Sequence, residues 1–303
     1  MRVKFWGVRG SIPCPGPATV RYGGNTSCIE LMIEKINRLL VIDAGSGIRE
    51  MGDALMIGKP SDIILKTEIF LTHTHWDHIM GLPFFAPIYS PNTQLTIYGP
   101  VTHEADSLKE ILSGQWTYRY FPIRQEELAS RIKYLELNQD NYDLGQGLHL
   151  KTKYLNHPLR CLGYRFEFDG KVLCTAYDTE PFCNVFITDT NHPDYDPVMA
   201  EEGQEAAERE NQLMEDFVRG ADLLIFDAQY TQKEYDTRRK GWGHSSMEYA
   251  IEIAKRNQVR RLALFHHDVQ RNDDQMDELC RRFCRSNSNT EIFFAREGME
   301  VQL

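Results

Sequence analysis

Apolar and polar residues alternate along the chain in patterns that predict strands first and helices later. Short apolar runs bounded by Gly, Asn and other polar residues predict strands at 2–6, 27–33, 38–44 and 64–72, with a helix at 48–56. The middle predicts strands at 94–98, 131–136, 148–155, 163–168 and 171–176. The last third alternates predicted strands with predicted helices, at 222–226, 245–257, 261–265, 273–283 and 290–294. The chain is therefore predicted to be an α/β protein.

The predicted elements follow one another without a linker. No stretch rich in Gly and Ser, no low-complexity tract and no fixed-period repeat interrupts the 303 residues. We therefore expect residues 1–303 to form a single domain. Two ranges depart from the pattern: an irregular insertion with a short helix near 115–143, and an acidic insertion near 181–220.

Charge is distributed unevenly along this chain. Lys and Arg total 34 and Asp and Glu total 44, which gives a net charge of −10. Ten acidic and two basic residues fall in 181–220, so that range carries most of the excess. A protein that binds long nucleic acid gains affinity by neutralising phosphates with Lys and Arg. We therefore expect no long nucleic acid as partner, and interpret the acidic range as a surface lid or a contact in a possible homodimer.

The cysteines and the N-terminus bear on the compartment. Seven cysteines, an odd number without a CxxC pair, are typical of reduced thiols. No run of about 18 apolar residues predicts a membrane span, and the N-terminus lacks an apolar segment with a cleavage site. The sequence therefore predicts a cytoplasmic protein without a membrane partner.

The strongest chemical signal follows the strand predicted at 64–72. The segment Thr72-His73-Thr74-His75-Trp76-Asp77-His78 places four potential metal ligands within six residues. In an extended strand end, His73 and His75 point to the same side. Imidazole and carboxylate ligands without cysteine suit a pair of divalent ions such as zinc or manganese. The alternative is a His-rich surface loop that binds metal adventitiously.

This segment resembles the HxHxDH motif of the metallo-β-lactamase superfamily, and the resemblance spans nearly the whole chain. It implies a four-layer αββα sandwich in which helices flank two packed sheets. It also implies two divalent ions, with zinc favoured and manganese as the alternative. The fold hosts β-lactam, thioester, lactone, phosphodiester and redox chemistry, so it does not by itself name the substrate.

The resemblance also implies a role for each matching residue. The first ion would be held by three histidines, His73, His75 and His157. The second ion would be held by Asp77, His78, Asp178 and one histidine of LFHHD, which is His266 or His267, with His266 favoured because it ends the strand. Asp178 would bridge both ions, and Asp43 would support the ligand loop. Asp77 also counts among the expected catalytic residues.

The order ADLLIFDAQYT, GWGHSS and LFHHD in the last third is similar to the phosphodiesterase branch of the superfamily. That branch includes tRNase Z, phosphoribosyl 1,2-cyclic phosphate phosphodiesterase and cyclic nucleotide phosphodiesterase-like proteins. The resemblance implies attack by a metal-bridging hydroxide, with His244 as general acid oriented by Asp227. The alternative for His244 is a packing residue next to a helix N-cap.

The absence of a tRNA-binding arm in the sequence bears on the size of the substrate. The long Gly- and Pro-rich arm with which tRNase Z grips tRNA has no counterpart, and the acidic range would repel RNA. We therefore expect a small phosphodiester such as a cyclic nucleotide, a cyclic phosphate or a short oligonucleotide. Arg9, Arg21 and Arg160 are candidate phosphate contacts, although each could equally form a surface ion pair.

Two other interpretations remain at this point. A metal-dependent lactone, thioester or β-lactam hydrolase would use the same ligands and depend less on His244. A non-catalytic, metal-stabilised nucleotide-binding module would keep the ligands without turning anything over.

Overall fold

The computed structural model describes residues 1–58, 64–102, 106–284 and 289–303. The strands are β1 (Arg2–Gly7), β2 (Cys28–Ile33), β3 (Arg38–Ile42), β4 (Leu65–Phe70), β5 (Thr93–Pro100), β6 (Arg131–Leu137), β7 (Asn141–Asp143), β8 (His149–Leu155), β9 (Cys161–Phe168), β10 (Lys171–Ala176), β11 (Leu223–Asp227), β12 (Arg261–Phe265), β13 (Glu291–Phe294) and β14 (Glu300–Gln302). The helices are α1 (Ile48–Met56), α2 (Trp76–Ile79), α3 (Leu108–Ser113), α4 (Pro197–Val218), α5 (Gln232–Glu234), α6 (Met247–Arg256) and α7 (Asp273–Phe283), and a π-helical turn follows α5 at Tyr235–Arg239.

These strands form two seven-stranded sheets with the same internal plan. The first sheet has the order β14-β1-β2-β3-β4-β5-β6, and the second has the order β13-β12-β11-β10-β9-β8-β7. In the first sheet β14, β1, β2 and β3 pair antiparallel, whereas β3 to β6 pair parallel. In the second sheet β7 to β10 pair antiparallel, whereas β10 to β13 pair parallel.

Three apolar clusters hold the sheets and helices in four layers. The central cluster joins residues of both sheets, including Phe5 and Phe70 from the first and Phe166 and Phe265 from the second. Helices α1 and α3 pack on the outer face of the first sheet. Helices α4, α6 and α7 pack on the outer face of the second. The predicted αββα sandwich is therefore confirmed.

The two ranges predicted as insertions contain regular structure. Within 115–143, only the first half is irregular, because β6 and β7 are the edge strands of the two sheets. Within 181–220, a stretch without helix or strand leads to α4, whose first turn is capped by the Asp196 side chain. Met214 and Phe217 of α4 are buried against the second sheet, and most of the acidic residues of α4 lie on its exposed face.

The parallel strands determine where functional side chains collect. The carboxyl ends of neighbouring parallel strands open on the same edge of a sheet. Segments that follow β3, β4, β10, β11 and β12 start at such ends. Among the described residues, no helix is both long and apolar enough to span a membrane.

Candidate metal centre

Four strand ends bring the predicted ligands together. His73, His75, Asp77 and His78 follow β4, His157 follows β8, Asp178 follows β10 and His266 follows β12. The structure groups them in two clusters, and within each cluster the donor atoms lie within 4.8 Å of one another. The first cluster is His73, His75 and His157. The second cluster is Asp77, His78, Asp178 and His266.

The first cluster consists of three imidazoles. His75 Nδ1 lies 3.1 Å from His157 Nε2, and the ring of His73 lies 4.5 Å from that of His75. His73 is fully buried and its Nε2 has no hydrogen-bond partner, whereas His75 and His157 are partly exposed. His157 Nδ1 donates a hydrogen bond to the Gly243 carbonyl oxygen at 3.0 Å. Each ring therefore has a nitrogen left for a cation.

The second cluster is closed to solvent. His78 Nε2 lies 3.3 Å from both Asp77 Oδ2 and Asp178 Oδ2, and His266 Nε2 lies 3.3 Å from Asp77 Oδ2 and Asp178 Oδ1. All four residues are buried. Asp178 Oδ2 is also 3.7 Å from His73 Nε2, so its carboxylate faces both clusters. This position suits the predicted bridging ligand.

Asp43 supports the second cluster from behind. Its carboxylate accepts hydrogen bonds from Thr72 N at 2.7 Å, from Thr72 Oγ1 at 2.9 Å and from His78 Nδ1 at 2.7 Å. Asp43, Asp178 and His266 adopt positive φ angles of 61°, 58° and 60°. Such backbone strain is tolerated where the surroundings over-determine the conformation, which is common at functional sites.

The protonation states differ between the clusters. Burial holds the pKa of His73 well below its ordinary value and lowers that of His157 to about 4. Burial by itself would raise the pKa of Asp77, but the charges of His78 and His266 outweigh it and hold that pKa well below its usual range. The same balance lowers the pKa of Asp178, and the neighbouring carboxylates raise the pKa of His78 despite its burial.

These donors fit two divalent cations. Buried, unpartnered polar atoms normally cost free energy, yet His73 Nε2, His78 Nε2 and Asp178 Oδ1 all point into the clusters without a hydrogen-bond partner. The nearby thiol of Cys161 belongs to neither cluster, and burial raises its pKa well above the ordinary value. The donors are therefore nitrogen and oxygen, as zinc and manganese both accept.

His244 and Asp227 form a pair beside the second cluster. His244 Nδ1 lies 2.8 Å from Asp227 Oδ2, and a His244 ring nitrogen lies within 4.8 Å of donor atoms of Asp178 and His266. The backbone N–H groups of Asp178, Ser245 and Gln229 donate to the buried Asp227 carboxylate. Burial lowers the pKa of His244, but the Asp227 charge and hydrogen bond prevail and raise it to about 9.

Of the two adjacent histidines, the structure brings only His266 into the site. His267 Nε2 donates to the Ala295 carbonyl oxygen at 2.8 Å, and its ring lies against Tyr22. Burial lowers the pKa of His267 to about 3, so it is a neutral packing residue.

The three candidate phosphate-binding arginines are engaged elsewhere. Arg9 is fully buried and donates to the carbonyl oxygens of Gly23, Asp268 and Arg271 at 2.8–3.0 Å. Arg21 pairs with two acidic residues of α7 at the surface. Arg160 donates to the Val101 carbonyl oxygen and stacks on Tyr154. These contacts favour the alternative of a structural role, and phosphate binding by these arginines stays a prediction.

The turn after Arg9 contributes to the site in a way that the sequence pattern did not indicate. The Ser11 backbone N–H donates to Asp77 Oδ2 at 2.7 Å. Gly10 lies against His266, since a Cβ at residue 10 would come within 2.3 Å of the imidazole. Buried Arg9 therefore anchors a turn that holds two predicted ligands.

Aromatic side chains stand at the rim of the clusters. Trp76, next to His75, is 79% exposed, and Trp242, next to Gly243, is 54% exposed. The Arg239 guanidinium stacks on Trp242 at 4.4 Å and on Tyr230 at 5.3 Å. Sequence reasoning did not single these residues out, because exposed and buried tryptophans look alike in a sequence.

A family model and two kinds of relative match the chain. The model described as a Beta-lactamase superfamily domain matches residues 38–267. A relative named Ribonuclease Z from Lactococcus lactis subsp. lactis (strain IL1403) is 28% identical over 295 residues, which cover 88% of this chain and 91% of the relative.

Solved structures share the fold over the whole length. Human tRNase Z, short form, superposes with a TM-score of 0.62 at 20% identity, covering 100% of this chain and 99% of that one. A structure described as a new diphosphatase from the PhnP family gives a TM-score of 0.63 at 16% identity, covering 100% and 97%. At these identities the likeness concerns the fold alone.

Proposed function

The chain belongs to the beta-lactamase superfamily, and we propose that it hydrolyses a small phosphodiester at the two clusters. It is a metal-dependent hydrolase, and its Ribonuclease Z relatives place its chemistry with phosphodiesters. The proposed substrates are a cyclic nucleotide, a cyclic phosphate or a short oligonucleotide. His73, His75 and His157 would hold one divalent cation, and Asp77, His78, Asp178 and His266 a second.

The observation that carries the proposal is the pair of His244 and Asp227. Hydrolysis of a phosphodiester releases an alkoxide, which needs a proton as the phosphorus–oxygen bond breaks. Asp227 engages His244 Nδ1 at 2.8 Å and leaves Nε2 as the nitrogen able to meet a substrate. A lactone or thioester hydrolase built on the same ligands would depend less on such an acid.

The side chains of the site have distinct tasks in this proposal. When bound, the two cations would polarise the phosphate and lower the pKa of water. His244 would give its proton from Nε2 to the leaving oxygen. Asp227, held by three backbone N–H groups, would keep the ring in place and stabilise its protonated form before the transfer. Asp178 would fix the spacing between the cations.

Charge supports a small substrate over a long RNA. The net charge of −10 and the acidic segment that follows Glu180 both disfavour a polyanion. Arg9, Arg21 and Arg160, whose positive charge could attract a polyanion, are bound to other residues of the protein. The Ribonuclease Z relatives keep tRNA cleavage as the second candidate activity.

Zinc is the proposed metal, with manganese as the alternative. The first cluster offers three imidazole nitrogens, which suit zinc, while the carboxylates of the second are compatible with either ion. Reconstitution of metal-free protein with each ion would decide between them.

A substrate panel tests the proposal. Zinc- and manganese-loaded protein would be assayed on 2′,3′-cyclic AMP, a dinucleotide and a precursor tRNA, with His244→Ala as variant and Glu252→Gln on the exposed side of α6 as matched control. We expect turnover of the small substrates, which His244→Ala lowers by about 10²–10⁴-fold and Glu252→Gln leaves unchanged. Cleavage of the precursor tRNA alone would contradict the small-substrate proposal.

A further inference from the structure

Glu180 is a buried carboxylate that the proposed chemistry does not use. It lies two residues after Asp178 and is 8% exposed. Its oxygens accept hydrogen bonds from Gly241 N at 2.9 Å, Gly243 N at 3.0 Å and Tyr235 Oη at 2.8 Å. Among the described residues, no Lys or Arg forms an ion pair with it. A buried carboxylate without a cation is costly, so these three donors are what makes its position tolerable.

Two of the three donors belong to a loop that wraps around this carboxylate, and the third, Tyr235, starts the π-helical turn that precedes the loop. Gly241 and Gly243 adopt positive φ angles of 81° and 77°, which turn their N–H groups toward the same anion. A Cβ on residue 243 would lie 2.3 Å from His157 Nδ1, so the loop passes against that imidazole as closely as its backbone allows. Glu180 therefore fixes a loop that touches the first cluster.

This loop carries two contacts into the site. The Gly243 carbonyl oxygen lies 3.0 Å from His157 Nδ1, which makes Nδ1 the protonated nitrogen and leaves Nε2 bare. The next residue is His244, and Ser245 donates from N to Asp227. The backbone N–H of Glu180 itself donates to the Asn156 carbonyl oxygen at 3.1 Å, immediately before His157.

We propose that Glu180 is a positioning residue that sets the tautomer and placement of His157, and thereby the affinity of the first cluster for its cation. The inference deepens the proposed function and rests on it for the presence of that cation. Glu180 acts through Gly243 and contacts neither the expected ligand atoms nor the substrate. Partners that orient a metal-binding histidine typically contribute about 10–100-fold to metal affinity or activity.

Zinc affinity tests the proposal directly. Glu180→Gln keeps the size of the side chain, but its amide accepts at one end and presents N–H to a backbone N–H at the other. We expect the affinity for one of two zinc ions to fall by about 10–100-fold, measured by competition with a chromophoric chelator, while the other is retained. Glu210→Gln is the matched control, because Glu210 lies on α4, where it pairs with Lys153 of β8, and its loss should leave both affinities unchanged.

A second readout does not depend on metal or activity. Long-range proton–nitrogen NMR spectra of metal-free protein report the tautomer of each histidine. We expect His157 to carry its proton on Nδ1 in the wild type and to populate both tautomers in Glu180→Gln. Unchanged zinc affinities together with an unchanged His157 tautomer in Glu180→Gln would overturn the proposal.

A milder variant covers the case in which Glu180→Gln does not fold. Tyr235→Phe removes one of the three donors and keeps the carboxylate. We expect it to weaken one zinc ion by about 2–5-fold, as loss of one hydrogen bond would, and no change would count against the proposal. Neither zinc affinity nor the His157 tautomer requires the protein to turn over a substrate. Absence of phosphodiester cleavage would therefore refute the proposed function, while these two measurements would still test the role of Glu180.

Discussion

The two clusters of the metal centre differ in how the protein holds them. The second cluster is buried, and its His78 is fixed by the side chain of Asp43, which is itself bound to Thr72. The first cluster is partly open, and its His157 is fixed by a backbone carbonyl of the 241–243 loop. Side-chain contacts at strand ends hold the second cluster, whereas the first cluster has one ligand, His157, held by the loop that Glu180 binds.

The two clusters also differ in the pKa values of their histidines. The carboxylates of the second cluster raise the pKa of His78, so a cation entering there must displace a proton. In the first cluster, burial lowers the pKa values of His73, His75 and His157, so their nitrogens are already neutral. A cation there meets imidazoles that burial already favours in the neutral form.

The largest effect is expected from removing the residue that the two clusters share. Asp178→Ala deletes the carboxylate that faces His73 on one side and His78 and His266 on the other. We expect zinc content to fall below two ions per chain and turnover to fall to the rate without protein. Metal analysis and phosphodiester assays would check this, with exposed Asp274→Ala as control. Full metal content in Asp178→Ala would show that the clusters are independent.

A large but selective effect is expected at His244, which lies outside both clusters. His244→Ala should lower kcat by about 10²–10⁴-fold for a substrate with an alkoxide leaving group, because general acid catalysis has that magnitude. For a p-nitrophenyl ester the loss should be much smaller, since p-nitrophenolate leaves without a proton. Steady-state kinetics on both substrates would test this. Equal losses on the two would indicate that His244 positions rather than protonates.

An intermediate effect should separate the two modes of support. Asp43→Asn breaks a buried pair and should cost about 3 kcal/mol of folding stability, along with affinity for the ion of the second cluster. Gly243→Ala adds a Cβ against His157 at a positive φ and should cost about 1–2 kcal/mol, with its loss of affinity confined to the first cluster. Denaturant unfolding and zinc titration would measure both. If both variants lost zinc affinity to a similar degree at the same cluster, the two clusters would not be supported separately.

The smallest effect concerns pH and the pair of His244 and Asp227. In metal-free protein the pKa of His244 is about 9, above the ordinary value of 6.5, so its protonated form stabilises the fold. That contribution is complete below about pH 6.5 and is lost as the pH rises through 9. In Asp227→Asn the pKa should fall toward the ordinary value. NMR titration of His244 and unfolding at both pH values would check this, and an unshifted titration would contradict the pairing.

Much of the centre could be predicted because its residues stand at strand ends that the sequence marks clearly. The segment from His73 to His78 follows an apolar run, and His157, Asp178, Asp227 and His266 each end another. The residues alone single out the segment from His73 to His78, whereas the resemblance to the superfamily was needed to select His157, Asp178, Asp227 and His266. Their metal-binding and catalytic roles stay predictions.

What escaped prediction depends on backbone contacts between distant segments. The contacts concerned are made by peptide groups, which every residue type has, so the sequence gives no signal for them. They are the Ser11 N–H on Asp77, the Gly243 carbonyl on His157 and the carbonyl partners of Arg9. Glu180 was missed because its partners are also mainly peptide N–H groups. The three-residue strands β7 and β14 carry too few side chains for an alternating pattern to be visible.

Hydrolysis of bis(p-nitrophenyl) phosphate, compared with a thioester and a lactone, is the most direct test of metal-dependent phosphodiester hydrolysis at the two clusters. Metal-free protein would be reconstituted with zinc or manganese, with Asp77→Ala as the ligand variant and Asp274→Ala as the control. The account predicts metal-dependent cleavage of the phosphodiester that Asp77→Ala abolishes and Asp274→Ala retains. Turnover of the thioester or the lactone, with no cleavage of the phosphodiester, would contradict it.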